Sequence, residues 1–461
     1  MPLQVTGILL VGGILTGVAW AEEFTVPEPV VRTTHVTNVT NFDLLAPSED
    51  AGQADAAVAP DGGYGDLATG SCASCSQCAD ATCPGACQQQ PWSLPQPCTL
   101  QRLGIKMGGW LEQGITFSAH HSADGFNGPV ATNDWDGEYQ MNQMWLYFAK
   151  PADNGGCGLA LGGHVDMLYG SDWRFGVNRG LEDRINSFNF QSYGMVIPQA
   201  YMEVAYNDLT VKLGHFAGIL DYEAVPAIAN PFYSHSYSYG YTVPQLVTGV
   251  LGDYKLTDRF SIQAGFTRGW MEFEDINNDF DFMGGVKWES CDKRTSIAYA
   301  LSTGPQDLAG AQNRFVYSLV AKRQISKKFQ YVAVHNLGIE NDWGQNGADA
   351  EWYGLNQYFL YTINPCWSAN LRFEWMRDDD GARIAGPGNI PGVRAFNGRG
   401  FAGDFYELTV GLSWRPKDNI TVRPEIRFDT YDGPVGPTGL PFNDGASDDQ
   451  FLFGVDAIVT F

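Results

Sequence analysis

The feature that most constrains this chain is an apolar–polar alternation of period two, repeated in many runs from Leu103 to the C-terminus. Period two puts successive side chains on opposite faces of a strand. Ile420 to Asp429 shows it best. Ile420, Val422, Pro424, Ile426 and Phe428 fall on one face, and Thr421, Arg423, Glu425, Arg427 and Asp429 on the other. Pro424 is out of place there, because it removes a ladder donor. Trp367 to Trp375 repeats the scheme, and so do Tyr406 to Trp414 and Phe451 to Phe461. Each run is about ten residues long, the length of a transmembrane β-strand. No apolar stretch after the N-terminus is long enough for a transmembrane helix, which needs roughly 18 residues.

Alternation alone is equally compatible with a soluble sandwich. Three observations favour a membrane. Tryptophans stand near strand ends on the apolar faces (Trp367, Trp375, Trp414), as interface girdles do. The opposite faces carry charges of both signs deep within strands, which an aqueous lumen explains. The linkers alternate between long (His120–Asp136, Gly170–Ile197, Phe216–Val243, Asp378–Asp404, Asp432–Asp449) and short (Asn207-Asp208, Thr257-Asp258, Lys417-Asp418-Asn419). Outer-membrane barrels have long external loops and short periplasmic turns. The expected fold is therefore all-β: an antiparallel transmembrane β-barrel of about 16 strands. A low-complexity, Cys-rich N-terminal tail precedes it.

The expected organisation is a signal peptide at 1–21, a disordered Cys-rich periplasmic tail at 22–100, and the barrel at 101–461. Val5 to Val18 is apolar, and Ala19-Trp20-Ala21 fits a cleavage site, although Met1 to Thr6 carries no base. Ala46 to Gly70 is too rich in Ala, Gly, Asp and Pro to build a core. The formal charge is −24, and the first 100 residues carry ten of the 52 acids and one of the 28 bases, Arg32. That balance argues against nucleic acid as a partner. It fits either solvated loops or a cation-leaning pore. The last residue, Phe461, resembles the terminal aromatic assembly signal of bacterial outer-membrane proteins.

Strand parity nominates inner-face residues: Lys106, Glu112, His164, Asp166, Glu203, Lys212, Arg372, Glu374, Glu407, Arg423, Glu425, Arg427, Asp429 and Asp456. As a set they describe a charged, pore-lining wall that filters ions. Singly, each is better explained by a wall salt bridge of little worth. The linker Phe216–Val243 is rich in aromatics and carries Asp221, Glu223, Tyr233 and His235. In 16-stranded porins the corresponding loop folds inward, which makes these four candidate constriction residues. An ordinary external loop is the plainer alternative.

Cys72, Cys75, Cys78, Cys83, Cys87 and Cys98 precede the barrel, while Cys157, Cys291 and Cys366 fall at expected short periplasmic turns. The first four approach an iron–sulfur spacing, and zinc thiolate binding is a further reading. An oxidising periplasm favours disulfides among the nine, with at least one left unpaired within a monomer. Bridges from tail to rim would dock the tail there; two separate groups of cysteines are the alternative. No serine-hydrolase, zinc-protease, P-loop or dinucleotide fingerprint occurs, so no enzyme, catalytic residue, metal site or cofactor is expected. His120-His121 with Asp124 reads as solvated loop.

The chain also resembles the beta-barrel porin-2 (OmpL-like) family, from about Gly104 to Phe461. The resemblance rests on Gly108-Gly109-Trp110-Leu111-Glu112, Asn142-Gln143-Met144-Trp145-Leu146-Tyr147, Pro198-Gln199-Ala200-Tyr201 and Lys212-Leu213-Gly214-His215-Phe216. It continues through Asp221-Tyr222-Glu223, Asn230-Pro231-Phe232-Tyr233-Ser234-His235-Ser236, Arg268-Gly269-Trp270, Arg423-Pro424-Glu425-Ile426-Arg427 and Asp448-Asp449-Gln450-Phe451. It implies an outer-membrane barrel of porin type and supplies no substrate. With the strand pattern, the expected function is passive diffusion of small hydrophilic solutes or ions through the outer membrane of a Gram-negative-type bacterium. Outer-membrane lipid and the barrel-assembly machinery would be its partners, and a homotrimer is a family-level expectation. The alternative is a structural or adhesive outer-membrane anchor with an occluded barrel.

Overall fold

From Lys106 onward the alternating runs form one antiparallel sheet that closes on itself. The computed structural model describes residues 92–187, 192–343, 347–385, 400–436 and 439–461. The signal segment and Cys72, Cys75, Cys78, Cys83 and Cys87 lie outside the described residues. The first eight staves are β1 Lys106–Ser118, β2 Tyr139–Lys150, β3 Leu159–Gly170, β4 Gly194–Val196 continued by Ala200–Tyr206, β5 Leu209–Ala217, β6 Leu246–Thr257, β7 Phe260–Thr267 and β8 Asp281–Glu289. The second eight are β9 Thr295–Pro305, β10 Asn313–Gln324, β11 Phe329–Glu340, β12 Ala350–Asn364, β13 Trp367–Asp378, β14 Gly403–Lys417, β15 Ile420–Asp432 and β16 Asp449–Thr460. The two parts of β4 are one stave because both pair with β3, the first at Leu168–Gly170 and the second at Leu159–Val165. The structure is thus a closed barrel of sixteen staves, as the alternation and linker lengths require.

Closure is made by β1, which pairs with β2 on one side and with β16 on the other, from Trp110↔Thr460 to Ser118↔Leu452. A closed sheet leaves no unpaired edge, the condition for strands in hydrocarbon. At this seam Phe461 and Gly109 exchange backbone hydrogen bonds of 2.9 Å. A Cβ on Gly109 would sit 2.1 Å from the Trp145 carbonyl oxygen and 2.7 Å from the Phe461 ring, so only glycine fits. The terminal aromatic is thereby locked against the first strand.

The two faces of each strand differ as parity demands. On β14, Leu408 and Val410 are each 42% exposed, whereas Glu407 and Thr409 are almost completely buried. Trp367 and Trp414 stack at 5.7 Å on the outside near the periplasmic turns, and Tyr353 meets Trp375 edge-on near the opposite rim. Both ends of the apolar belt therefore carry aromatic anchors.

Three details depart from the sequence reading or explain its oddities. The first strand does not begin at Leu103. A short helix, α1 (Cys98–Leu103), comes first and ends at Gly104, whose φ of 70° stops it. Gln96 then bonds both backbone groups of Met107, at 2.6 and 2.9 Å. Pro424 is accommodated by a gap. The β14–β15 ladder passes from Gly411↔Glu425 to Trp414↔Val422, skipping the positions facing Pro424, while Pro424↔Val455 pairs normally on the other side. Finally, β11 and β12 alternate poorly because part of their inner face is apolar. Val332, Val334 and Tyr358 pack there against Tyr222, Ala224 and Phe232.

Candidate functional site

What Tyr222 and Phe232 are doing inside the barrel defines the site. They belong to the third long external loop, residues 218–245 (L3), which joins β5 to β6. L3 does not lie over the mouth of the barrel. It turns inward, carrying a 3-10 turn (Ala227–Ala229) and a short helix, α2 (Tyr237–Tyr241), whose N-cap Ser236 Oγ accepts from the Tyr239 amide. Asp221, Glu223, Tyr233 and His235 are all at least nine-tenths buried. A peptide segment placed inside a barrel must find partners for its N–H and C=O groups. The charged inner wall supplies them.

Two wall carboxylates hold four loop amides. Glu425 accepts from the Tyr233 and Ser234 amides at 2.9 and 3.0 Å, and Glu374 accepts from those of Tyr237 and Ser238 at 2.6 Å each. Three wall guanidiniums take loop carbonyls. Arg423 donates to Ala227 O and Asn230 O at 2.9 and 2.7 Å, Arg372 to Ser234 O at 2.8 Å, and Arg427 to His235 O at 2.5 Å. Each guanidinium is also paired on the wall: Arg423 with Asp456 and Glu112, Arg372 with Glu407, Arg427 with Asp429.

The loop's own ionisable groups complete the network. Glu223 bonds Arg372 (2.8 Å), His235 Nδ1 (2.8 Å) and the Tyr358 hydroxyl (2.8 Å). Burial pushes its carboxyl up, but Arg372 and His235 outweigh that and hold it at about 2. Asp221 accepts from Asn336 at 2.5 Å, yet burial, with Glu223 nearby, pushes it up to about 6. Tyr233 donates to Asn142 on β2 at 2.9 Å, and Tyr237 to Asp429 at 2.9 Å. Space for the loop comes from small wall residues. A Cβ on Gly114 would lie 2.6 Å from the Tyr233 ring, and one on Gly411 would lie 3.0 Å from Phe232.

The residues nominated from parity therefore divide. Glu112, Arg372, Glu374, Glu407, Arg423, Glu425, Arg427, Asp429 and Asp456 lie on the inner face, but they are engaged by L3 or by one another and are almost completely buried. The expectation of a freely water-lined charged wall is corrected for this group. A folded loop occupies the space, because its peptide groups need these charges. His164 and Asp166 form a separate buried pair at 2.7 Å, with Gln199 donating to Asp166 at 2.7 Å. Glu203 is half-buried and accepts from the Ala152 amide at 3.0 Å. Lys212 is buried, and Lys106 is exposed at the periplasmic end.

Several residues of the site carried no signal in the sequence. Asp134 and Arg174, from two different external loops, form a bidentate buried pair at 2.7 and 2.8 Å. Asp172 accepts from Asn142 and Gln143 at 2.8 and 2.9 Å. Arg383 lies between the Trp270 and Trp352 indoles, 4.6 and 4.9 Å from their centroids, and donates to Tyr241 O at 3.0 Å. Irregular loops have no period from which such partners could be read.

The periplasmic cysteines also divide. Cys157, Cys291 and Cys366 occupy short turns, as expected. Cys98, Cys157 and Cys291 are exposed free thiols and are not bridged, whereas Cys366 is disulfide-bonded. Among the described residues no group of three or more metal-ligating side chains occurs.

The family model described as "Putative beta-barrel porin-2, OmpL-like" matches residues 104–461. No curated protein matches the chain. Among solved structures, the outer membrane channel DcaP of Acinetobacter baumannii is similar at a TM-score of 0.51 and 13% identity, covering 77% of this chain and 97% of that one. An anion-selective porin from Comamonas acidovorans is similar at 0.52 and 11% identity, covering 77% and 99%. At such identities the likeness is one of fold.

Proposed function

The chain belongs to the beta-barrel porin-2, OmpL-like family and resides in the bacterial outer membrane as a porin, and from that premise we propose that L3 is its gate. The function is passive diffusion of small hydrophilic solutes or ions, without catalysis. The observation that carries this reading is the clamping of L3 to the inner wall by five charged side chains from β13 and β15. In the conformation described, those charges are spent on the loop. Conduction then requires either a narrow path beside L3 or its release. Outer-membrane lipid would contact the exposed apolar belt, and the solutes would contact the remaining polar inner face.

The test is single-channel conductance of the refolded protein in a planar bilayer, with and without residues 22–100. Small ohmic steps in both proteins are expected. Steps that appear only after truncation would make the tail a plug. Silence in both would favour the structural or adhesive anchor, which the burial of the charged wall also accommodates.

The tail enters this reading through the rim. We propose that the cluster at 72–87 is tethered at Cys366, whose sulfur is the bonded one among the rim cysteines. Peptide mapping without reductant should recover Cys366 joined to one cysteine of that cluster. Recovery of tail–tail pairs alone would end the tethering idea.

A further inference from the structure

Side chains that hydrogen-bond L3 stand on β2, β10 to β13 and β15. At the periplasmic end a cavity of about 370 Å³ lies against β5 to β9, with Asp258 and Glu289 among its acidic lining. Lys212, Asp253, Lys255, Ser261, Gln263 and Lys287 line it from consecutive strands. The barrel register brings them together: Lys255 stands opposite Ser261, Ser261 opposite Lys287, and Asp253 opposite Gln263.

Lys212 is the unusual member. It is 5% exposed, and no hydrogen-bond acceptor reaches its Nζ. It sits 4.7 Å from the centre of the Tyr201 ring, a favourable contact that leaves the ammonium protons unmatched. Glu203 stands directly opposite on the neighbouring strand as a nearby counter-charge, but it accepts from the Ala152 amide and does not hydrogen-bond the Nζ. Asp253 stands 3.9 Å from Lys287, at the outer limit of an ion pair. Lys255 is matched at the rim by Asp258 at 2.8 Å. A buried ammonium without acceptors is costly, and an anion at the cavity wall would remove that cost. Ser261 and Gln263 add neutral donors on the same wall.

We propose that this cavity is an anion subsite on the periplasmic side of the lumen, taking a small solute that bears a phosphate or carboxylate group. Lys212 supplies the principal charge, and Lys287 supplies the second. The chain as a whole is strongly acidic. A local pair of ammoniums in an otherwise acidic barrel would hold an anion at one defined depth and would not make the pore anion-selective throughout.

Inorganic phosphate and succinate, titrated separately into the full-length protein folded in detergent, test the proposal by calorimetry. Saturable binding of either is expected, with at least a tenfold loss of affinity in Lys212→Met and near-wild-type affinity in Lys212→Arg. Binding of phosphate alone, succinate alone or both supports the site and defines the ligand class. Binding of neither overturns it, and so does unchanged affinity in Lys212→Met. If Lys212→Met fails to fold, Lys287→Gln carries the test with the same readings. The measurement does not depend on conduction, so its failure would leave the porin reading intact.

Discussion

Replacing Glu374 and Glu425 together by alanine is expected to raise single-channel conductance several-fold while the barrel remains closed. The two carboxylates accept four amide protons from L3, each a charge-assisted bond. Hydrogen bonds to charged groups contribute about 1.5–3 kcal/mol each. Losing all four removes a bias of several kcal/mol toward the inward loop, and each 1.4 kcal/mol is roughly tenfold in a two-state population. The barrel should survive, because its closure depends on backbone ladders between β1, β2 and β16, to which neither residue belongs. Refolding is checked by heat-modifiable mobility and conductance by planar bilayer recording. Unchanged conductance in a folded variant would mean that the aromatic packing of Phe232, Tyr233 and Tyr237 holds the loop by itself, and the wall carboxylates would lose their role as a latch.

Arg372→Ala is expected to be the most destabilising single change in the lumen. Its guanidinium, fully buried, serves Glu407, Glu223 and the Ser234 carbonyl and lies 5.1 Å from the centre of the Phe232 ring. Breaking a buried pair by removing one partner costs about 3–5 kcal/mol, because the other charge is left unmatched. Here two carboxylates would be left. Urea unfolding of the protein in detergent micelles should show the loss. Arg372→Lys should recover little of it, since an ammonium cannot reproduce the planar fork between Glu407 and Glu223. Adding Glu223→Gln to Arg372→Ala should give back part of it, because one stranded charge is gone. A loss below about 1 kcal/mol in Arg372→Ala would place the pair in the class of solvated wall bridges.

The same residues show how far the sequence could be read. Arg372 and Glu407 fall on the inner face by parity and meet diagonally across adjacent strands, where Arg372 stands opposite Thr409 and Glu407 opposite Glu374. Tyr233 bonds Glu425 across 192 positions, and Tyr237 bonds Glu374 across 137. Nothing periodic links residues so far apart, so an inward loop could be expected while its contacts could not. A signal that narrows the choice is the pair of inner-face glycines, Gly114 and Gly411, which leave room for Tyr233 and Phe232. The poor alternation of β11 and β12 was a second trace of the loop, because Val332 and Val334 face Tyr222 and Ala224 where water was expected.

The sequence alone determined the barrel, its sixteen strands, its inside and its outside. Strand alternation and turn length are local properties, and a closed sheet in a bilayer leaves little freedom once they are set. The tertiary structure alone decided that the inner charges bind a loop. Peptide groups carried into a lumen must be hydrogen-bonded, and only folding reveals which wall charges stand within reach of them.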